Sequence, residues 1–361
     1  MPRAASRLRT GGRCPAVTPI ASVVIPAHNE STVIGRLLGA LAPMTGTGEL
    51  DVHVVCNGCD DDTSRVAGTF EAVRVHTLAR PSKSAALNLG DEVAGDVFPR
   101  LYMDADIVAD PAAVRGVVDA LERGPALAAA PRLRVVLDGR PRPVRDFYDV
   151  FVRLPWVTDE LVGSGFYGLS REGRARFDVF PDVLNDDLYI RSLFSSAERR
   201  AVSGCEFSIE APRTTAALIR AKARVYAGTQ EFLAIFEQAE SSSTGPVHSR
   251  PLLVRRIAGH VRLWFDSPFW EMAHDRALWV PLANYGLVRM GAVALAQSYR
   301  LRHRQIGWEQ DRTTRGDGSG GRATMSPPSG APAERAPTEQ SDGTGAGPRV
   351  APASERSQPE L

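Results

Sequence analysis

Short apolar runs alternate with amphipathic segments over the first hundred residues, and this alternation constrains the fold more than any other feature. Each run is short enough for a buried strand, and the segments between them keep the apolar spacing of helices. The predicted strands are residues 22–26, 52–56, 73–76 and 101–103. Strands that alternate with helices form a mostly parallel α/β sheet with helices on both faces and a ligand crevice at the carboxyl ends of the strands.

The fourth predicted strand ends in two carboxylates, Asp104 and Asp106, that are separated by one residue. Carboxylates with this spacing at a strand end can share a hard divalent cation such as Mg²⁺ or Mn²⁺, which in turn bridges phosphate oxygens. An isolated Asp-x-Asp is more often a solvated turn. The other loops at the same edge of the sheet decide between these two interpretations.

Two further loops at this edge carry polar residues. Asp60, Asp61 and Asp62 follow the second predicted strand, and Lys83 lies just before a helix. A cation next to a helix N-terminus suits a phosphate, although each of these residues alone is more often a surface charge. The sequence contains neither a Gly-x-Gly-x-x-Gly after the first strand nor a Gly-Lys-Ser/Thr loop. A dinucleotide-binding fold and a P-loop are therefore not supported.

Four motifs in this order resemble the family 2 glycosyltransferases, whose GT-A fold has a Rossmann-like sheet flanked by helices. The motifs are VVIPAHNE (23–30), NGCDDDT (57–63), KSAALN (83–88) and DAD (104–106). The resemblance extends over about residues 20–230. It implies a metal-dependent, inverting transfer of a sugar from a nucleoside-diphosphate sugar to a hydroxyl acceptor, which is a glycan, a lipid or a small molecule.

The resemblance also implies roles for individual residues in donor binding. The implied residues are Pro26, Ala27 and Glu30 for the nucleoside, Asp60 or Asp61 for the base, Lys83 for the phosphates, and Asp104 with Asp106 for Mn²⁺ or Mg²⁺. Beyond Thr214 the chain predicts a basic helix, in which Arg224 and Tyr226 resemble a diverged Arg-Trp motif that contacts the donor pyrophosphate. Arg220 and Arg224 are therefore further donor-binding candidates, and a solvated basic helix face is the alternative.

The acceptor half of the site is expected between residues 162 and 191. Gly163, Ser164 and Gly165 belong to a small-residue strand that permits close backbone approach to a ligand, with a plain bend in the sheet as the alternative. The resemblance favours an acceptor wall here. It also places the catalytic base on the acidic pair Asp186 and Asp187. We expect one carboxylate to face the crevice, with Asp186 preferred, and the other to cap the helix that follows.

The C-terminal part of the chain is basic and aromatic. Residues 250–304 carry nine Arg against three acids. The most apolar window, 277–296, contains Arg289, and a central Arg costs roughly 2.5–3.5 kcal/mol in a lipid span. An interfacial or partner-binding helix is therefore predicted, with a packing helix as the alternative. The predicted division is a disordered arm (1–19), a GT-A domain (20–240), a helical extension (250–308) and a disordered tail (309–361).

Overall charge and cysteine content limit the partners and the compartment. The formal net charge of +1 gives no signal for nucleic acid. Four scattered cysteines indicate a reducing compartment, and Cys56 and Cys59 lack the second pair that a zinc site needs. We expect a cytoplasmic enzyme with peripheral membrane association through the basic extension. The alternatives are a nucleotidyltransferase on a related sheet and a non-catalytic donor-binding scaffold.

Overall fold

The computed structural model describes residues 18–158, 164–242 and 268–301. The predicted tail, nearly all of the predicted N-terminal arm and the first part of the predicted extension lie outside these residues. The described residues form an α/β fold with a mixed sheet flanked by helices, which confirms the predicted fold class.

Eight strands of the described chain form one sheet in the order β3-β2-β1-β4-β7-β6-β8-β5. The strands are β1 (Ala21–Ala27), β2 (Leu50–Asn57), β3 (Val73–Leu78), β4 (Arg100–Met103), β5 (Val108–Ala109), β6 (Ala128–Val136), β7 (Phe166–Leu169) and β8 (Arg199–Glu210). The four strands predicted from sequence are β1 to β4, and they pair in parallel. The other half is mixed, because β7 runs antiparallel to β4 and β6 while β6 and β8 are parallel.

Helices cover both faces of the sheet and extend beyond it. They are α1 (Ile34–Thr45), α2 (Thr63–Ala67), α3 (Lys83–Ala94), α4 (Pro111–Arg123), α5 (Arg142–Phe151), α6 (Pro155–Thr158), α7 (Arg171–Arg174), α8 (Asp186–Leu193), α9 (Thr215–Ser242), α10 (Pro268–Ala273) and α11 (Trp279–Leu301). The apolar residues Val66 and Phe70 predict a helix through Phe70, which is wrong at its end, because α2 stops before Gly68, a poor helix former. The sequence also predicts a helix from Phe147 to Leu154, but α5 begins earlier, at Arg142, with Pro143 in its first turn, and ends at Phe151.

The strand β1 shows why its sequence is continuously apolar. Its side chains alternate between the two faces, and both faces are buried. Val23 and Ile25 pack in a core with α1 and α4, whereas Val24 packs in a second core with Leu87 of α3 and Tyr102 of β4. The central parallel strands are therefore covered by helices on both faces. A ligand can approach them only at the sheet edge where their carboxyl ends lie.

A third core joins α5, α9 and α11. Phe147 of α5 stacks on Tyr285 of α11 with ring centroids 4.8 Å apart, and Leu218 of α9 belongs to the same core. One face of α11 thus packs against the rest of the protein, as the packing-helix alternative predicts. Its opposite face contains exposed apolar side chains.

A buried glycine provides a test of the close packing between α3 and β1. A Cβ at Gly90 of α3 would lie 2.2 Å from Cγ1 of Val24, a fully buried and stiff side chain. We expect Gly90→Ala to lower the free energy of unfolding by about 1–3 kcal/mol, the usual cost of overpacking. Urea denaturation measures this change.

Gly286 of α11 is the matched control, because a Cβ there meets no atom within 4 Å. Both substitutions gain the same helix propensity, so Gly286→Ala should be neutral or stabilising by up to about 1 kcal/mol. Equal effects at the two positions would contradict the close contact between α3 and β1.

Candidate functional site

Lys83 brings together two carboxylates that are distant in the sequence. Its Nζ lies 2.9 Å from Oδ1 of Asp104 and 3.0 Å from Oδ1 of Asp186. Lys83 is the first residue of α3, Asp104 follows β4, and Asp186 is the first residue of α8. The side chain of Lys83 is 18% exposed and that of Asp186 is 8% exposed. Three residues that the sequence analysis placed in separate loops therefore form one cluster.

The cluster contains more negative than positive groups. Burial raises the pKa of Asp186. Burial, together with the charge of Asp186, raises the pKa of Asp187 to about 7. Burial opposes the charge of Lys83, but Asp104, Asp186 and Asp187 outweigh it and raise the Lys83 pKa well above its ordinary value. One ammonium thus faces three carboxyl groups, and a second cation would relieve their repulsion.

Asp187 contacts the turn that precedes β7. Its Oδ2 accepts a hydrogen bond of 2.7 Å from the backbone N–H of Ser164. Gly165, the next residue, accepts a hydrogen bond of 2.8 Å from the N–H of Asp104. Two of the three predicted acceptor-wall residues therefore lie beside the carboxylates, and Gly163 lies outside the described residues.

The backbone of this turn is unusual. Ser164 has φ of +58° and Gly165 has φ of +105°. The left-handed conformation costs a residue with a Cβ roughly 1–2 kcal/mol. Such strain persists where surrounding contacts enforce it, and it is often found at functional sites. The bond from Ser164 to Asp187 is one of those contacts. Asp187 thus binds a distant turn, whereas the sequence analysis expected one Asp of the pair to cap α8.

The two donor-side loops are joined by Asn57, the buried last residue of β2. Its Nδ2 donates to the carbonyl oxygen of Ala27 at 2.9 Å, and its Oδ1 accepts from the N–H of Ser82 at 3.0 Å. The β1 loop with the nucleoside candidates is thereby fixed to the loop before Lys83. The sequence analysis missed Asn57, although a polar residue that ends an apolar strand is a visible signal.

Asp61 organises the loop in which it lies. Its Oδ2 accepts from the N–H of Ser31 at 3.0 Å, and its Oδ1 accepts from the N–H of Thr63 at 2.9 Å. Burial acts to raise the pKa of Asp61, but hydrogen bonds from the side chains and the backbone N–H groups of Ser31 and Thr63 outweigh it and lower the pKa. Thr63 also accepts from the N–H of Glu30 at 2.7 Å. The loops after β1 and β2 are therefore joined by hydrogen bonds. The neighbouring residue Asp60 is exposed to solvent.

The donor atoms of Asp104 and Asp106 fit a divalent metal. The side chain of Asp104 is 35% exposed at the crevice, and Asp106, two positions further along the chain, is exposed. Mg²⁺ commonly takes one or two carboxylates and completes its shell with water and substrate phosphates. Within residues 18–158, 164–242 and 268–301, no three His, Cys, Asp or Glu side chains form a complete metal cage. A zinc site at Cys56 and Cys59 therefore gains no support, and both thiols are free.

Helix α9 contacts the loop with the acidic pair. Asn185 Nδ2 donates to the carbonyl oxygen of Val225 at 2.9 Å and to Oγ1 of Thr229 at 3.0 Å. A Cβ at Gly228 would lie 2.9 Å from Oδ1 of Asn185, so this glycine permits the close approach. The sequence analysis missed both contacts. The same helix carries Arg220, which is exposed, and Arg224, which is half-buried. Their contact with a donor remains a prediction.

Comparisons with known proteins add a family match. Residues 22–171 match the family model described as Glycosyl transferase family 2. No curated protein matches the sequence. Glucosyl-3-phosphoglycerate synthase from Mycobacterium tuberculosis, in complex with Mn²⁺, UDP-Glc and phosphoglyceric acid, is 22% identical with a TM-score of 0.35. That match covers 48% of this chain and 62% of the synthase, so the chain spans less than two thirds of it.

Two other solved structures align over more of the chain. Mannosyltransferase PcManGT from Pyrobaculum calidifontis, in complex with GDP-Man and Mn²⁺, is 20% identical with a TM-score of 0.49, and the match covers 80% of this chain and 89% of that one. TarS 1-349 from S. aureus, in complex with UDP, is 11% identical with a TM-score of 0.47 and coverage of 81% and 94%.

The raised pKa of Asp187 predicts how stability depends on pH. The folded protein keeps a proton on Asp187 up to a pKa of about 7, whereas the unfolded chain loses it near its ordinary value of 3.8. The folded state therefore binds more protons between these values, and the free energy of unfolding falls as pH rises. Asp187→Asn removes this titration, so the variant should gain stability relative to wild type between pH 5 and pH 8.

Thermal denaturation at about pH 5 and pH 8 measures this difference. Asp119→Asn is the control, because Asp119 is a half-exposed residue that pairs with Arg123 on the surface of α4. A difference between Asp187→Asn and wild type that is the same at both pH values would contradict the buried environment of Asp187.

Proposed function

We propose, from the match of residues 22–171 to the model of Glycosyl transferase family 2, that this protein transfers a sugar from a nucleoside-diphosphate sugar to a hydroxyl acceptor with inversion at the sugar carbon. The observation that carries this proposal is the partly buried cluster of Lys83, Asp104 and Asp186 at the carboxyl edge of the sheet. Such a cluster combines groups for phosphate, for metal and for proton transfer within a few ångströms.

The donor is proposed to bind along the carboxyl ends of β1, β2 and β4. Pro26, Ala27 and Glu30 would hold the nucleoside. Asp60 is the better candidate for the base, because the Asp61 carboxylate is already engaged by Ser31 and Thr63. The diphosphate would then reach the N-terminus of α3, where the ammonium of Lys83 and the helix dipole favour negative charge.

Asp104 and Asp106 are proposed to hold a divalent metal, Mn²⁺ or Mg²⁺. When bound, the metal would neutralise the diphosphate and stabilise the charge that develops on the leaving group. The ammonium group of Lys83 would also stabilise this negative charge on the leaving group. Because Lys83 pairs with Asp104 at 2.9 Å, a diphosphate that attracts the ammonium would also leave Asp104 available for the metal.

The acidic pair is proposed to supply the general base. The contacts favour Asp187, because it lies at the Ser164 turn while Asp186 is paired with Lys83 on the phosphate side. An inverting transfer needs the acceptor hydroxyl on the face opposite the leaving diphosphate, and the base must reach that hydroxyl at about 2.6–3.2 Å. The Ser164 turn, with Gly165, is accordingly proposed as part of the acceptor wall.

The proposed location is a reducing compartment, the cytoplasm. Cys56, Cys59 and Cys205 are all free thiols in the described part of the chain. Disulfides are rare in the cytoplasm, so three free thiols are consistent with a cytoplasmic location.

A donor panel tests the proposed function. Thermal denaturation with UDP-, GDP- and dTDP-sugars, each with and without Mn²⁺, should show a melting temperature raised by several degrees for the true donor with metal. A ligand at about 100 times its Kd stabilises a protein by about 2.7 kcal/mol. Asp106→Ala should abolish the Mn²⁺-dependent part of this rise, because half of the proposed metal site is removed.

Asp119→Ala is the matched control for the loss of an exposed carboxylate, and it should keep the full rise. A donor-induced rise that persists in Asp106→Ala or in EDTA would contradict the metal site. Release of pyrophosphate rather than a nucleoside diphosphate in a turnover assay would favour nucleotidyl transfer.

Single-atom changes in the acidic pair test the base. Asp187→Asn should lower kcat by about 10²–10⁴-fold with donor affinity nearly intact, because the amide keeps the shape but cannot accept a proton. Asp186→Asn should chiefly change donor affinity, because it releases Lys83 from one partner. Steady-state kinetics and donor titration of both variants measure these effects. The reverse pattern would assign the base to Asp186, and full activity in both would exclude a base at this loop.

A further inference from the structure

The exposed face of α11 is an apolar surface beside a concentration of basic residues. We propose that this face docks on the surface of an anionic lipid bilayer. The surface, called here the α11 stripe, consists of Trp279, Val280, Leu287, Met290 and Leu301. The proposal goes beyond the transfer reaction and does not depend on it.

The two faces of α11 differ in their exposure to solvent. Pro281, Tyr285, Val288, Ala292 and Ala296 are buried against the rest of the protein. The α11 stripe lies on the opposite side, with Leu287 60% and Met290 63% exposed. Val280, Leu287 and Met290 are spaced by seven and three residues, which keeps them on one line along a helix. The exposed apolar residues are therefore a continuous face of α11.

This concentration of apolar surface is not general to the protein. Within the described residues, eight large hydrophobic side chains are exposed, and six of them lie between residues 268 and 301. The other two, Val179 and Val225, are single residues elsewhere. Scattered exposed hydrophobic residues are normal, but a cluster along one helix indicates an interaction surface.

The charges near α11 in the sequence favour an anionic partner. Residues 250–308 contain nine Arg against three acids, Asp266, Glu271 and Asp275. Arg289 and Arg300 are eleven residues apart, about three helical turns, so they lie on the same side of α11. Each basic residue near an anionic membrane strengthens binding by about fivefold. Trp270 and Trp279 are exposed near the start of α11, and Trp favours the boundary between lipid and water.

The packing of α11 favours a position in the plane of the membrane surface. Residues Arg276–Leu301 are long and apolar enough to cross a membrane by length and composition. However, Asn284 Nδ2 donates to Oδ2 of Asp146 of α5 at 2.6 Å, and Arg289 lies 5.6 Å from the ring centroid of Tyr285. A helix with one face fixed to the domain presents only its other face to lipid, as interfacial helices do.

Vesicle flotation of the full-length protein tests the proposal. The protein should float with vesicles of phosphatidylcholine mixed with phosphatidylglycerol, and at least about fivefold less with phosphatidylcholine alone. Leu287→Asp combined with Met290→Asp should reduce flotation by at least about tenfold, because two apolar side chains are lost from the membrane contact. Val179→Asp, at a position 62% exposed, is the matched control and should float like wild type.

Two further measurements separate the alternatives. Arg300→Gln should weaken flotation with the anionic vesicles by about fivefold and should not change flotation with neutral vesicles. Alkaline carbonate should release the bound protein from membranes. Resistance to carbonate would overturn the proposal in favour of a spanning helix. Undiminished flotation of the double variant would overturn it as well. A dimer in light scattering that the double variant dissociates, without flotation of wild type, would assign the stripe to a second copy of the chain.

Discussion

The position of Lys83 between Asp104 and Asp186 is the contact on which the proposed site depends. Two carboxylates from different elements approach one ammonium within 3.0 Å, and all three groups are at least partly withdrawn from water. Removing one partner of a buried ion pair leaves an uncompensated charge, which usually costs more than the pair contributes. The end of β4 and the starts of α3 and α8 are therefore fixed relative to one another by electrostatics as well as by packing. The same arrangement leaves the site with an excess of carboxyl groups, and a divalent cation would relieve their mutual repulsion.

The first half of the sheet follows from the sequence because its physical causes are local. Strands β1 and β2 are buried on both faces, so most of their residues are apolar, and parallel pairing then places their following loops at one edge. The second half has no such signal. Strand β7 has only four residues and runs antiparallel between β4 and β6, and β5 has two residues paired with β8. Their order depends on contacts between segments far apart in the chain, which periodicity does not encode.

The positions of the candidate site residues were predictable where the residues stand at the ends of predicted elements, and they were not where contacts between distant segments place them. Asp104 and Lys83 could be found because each stands at the end or start of a predicted element. Local capping physics suggested that one carboxylate of the pair 186–187 caps α8, but Asp187 instead binds the N–H of Ser164, 23 positions away. Asn57 and Asn185 were missed for the same reason. Each acts through hydrogen bonds to loops or helices that sequence spacing does not bring near it.

The packing-helix interpretation of the α11 sequence applies to one face of this helix, and the opposite face carries the exposed apolar side chains. An apolar window with few charges is expected both of a packing helix and of an interfacial helix. Only the tertiary contacts of α11 with α5 and α9 show which of its faces is buried. On one side, Ala292 and Ala296 pack on Ala223 of α9. Further along α9, Val225 and Thr229 hold Asn185, which directly precedes the acidic pair. A single helix thus contacts both α11 and the loop that carries the candidate base. Because small residues set the spacing at both contacts, with alanines at one and Gly228 at the other, α9 can lie close to both neighbours. The segment that carries the acidic pair and the helix whose outer face is exposed therefore pack against the same helix, α9.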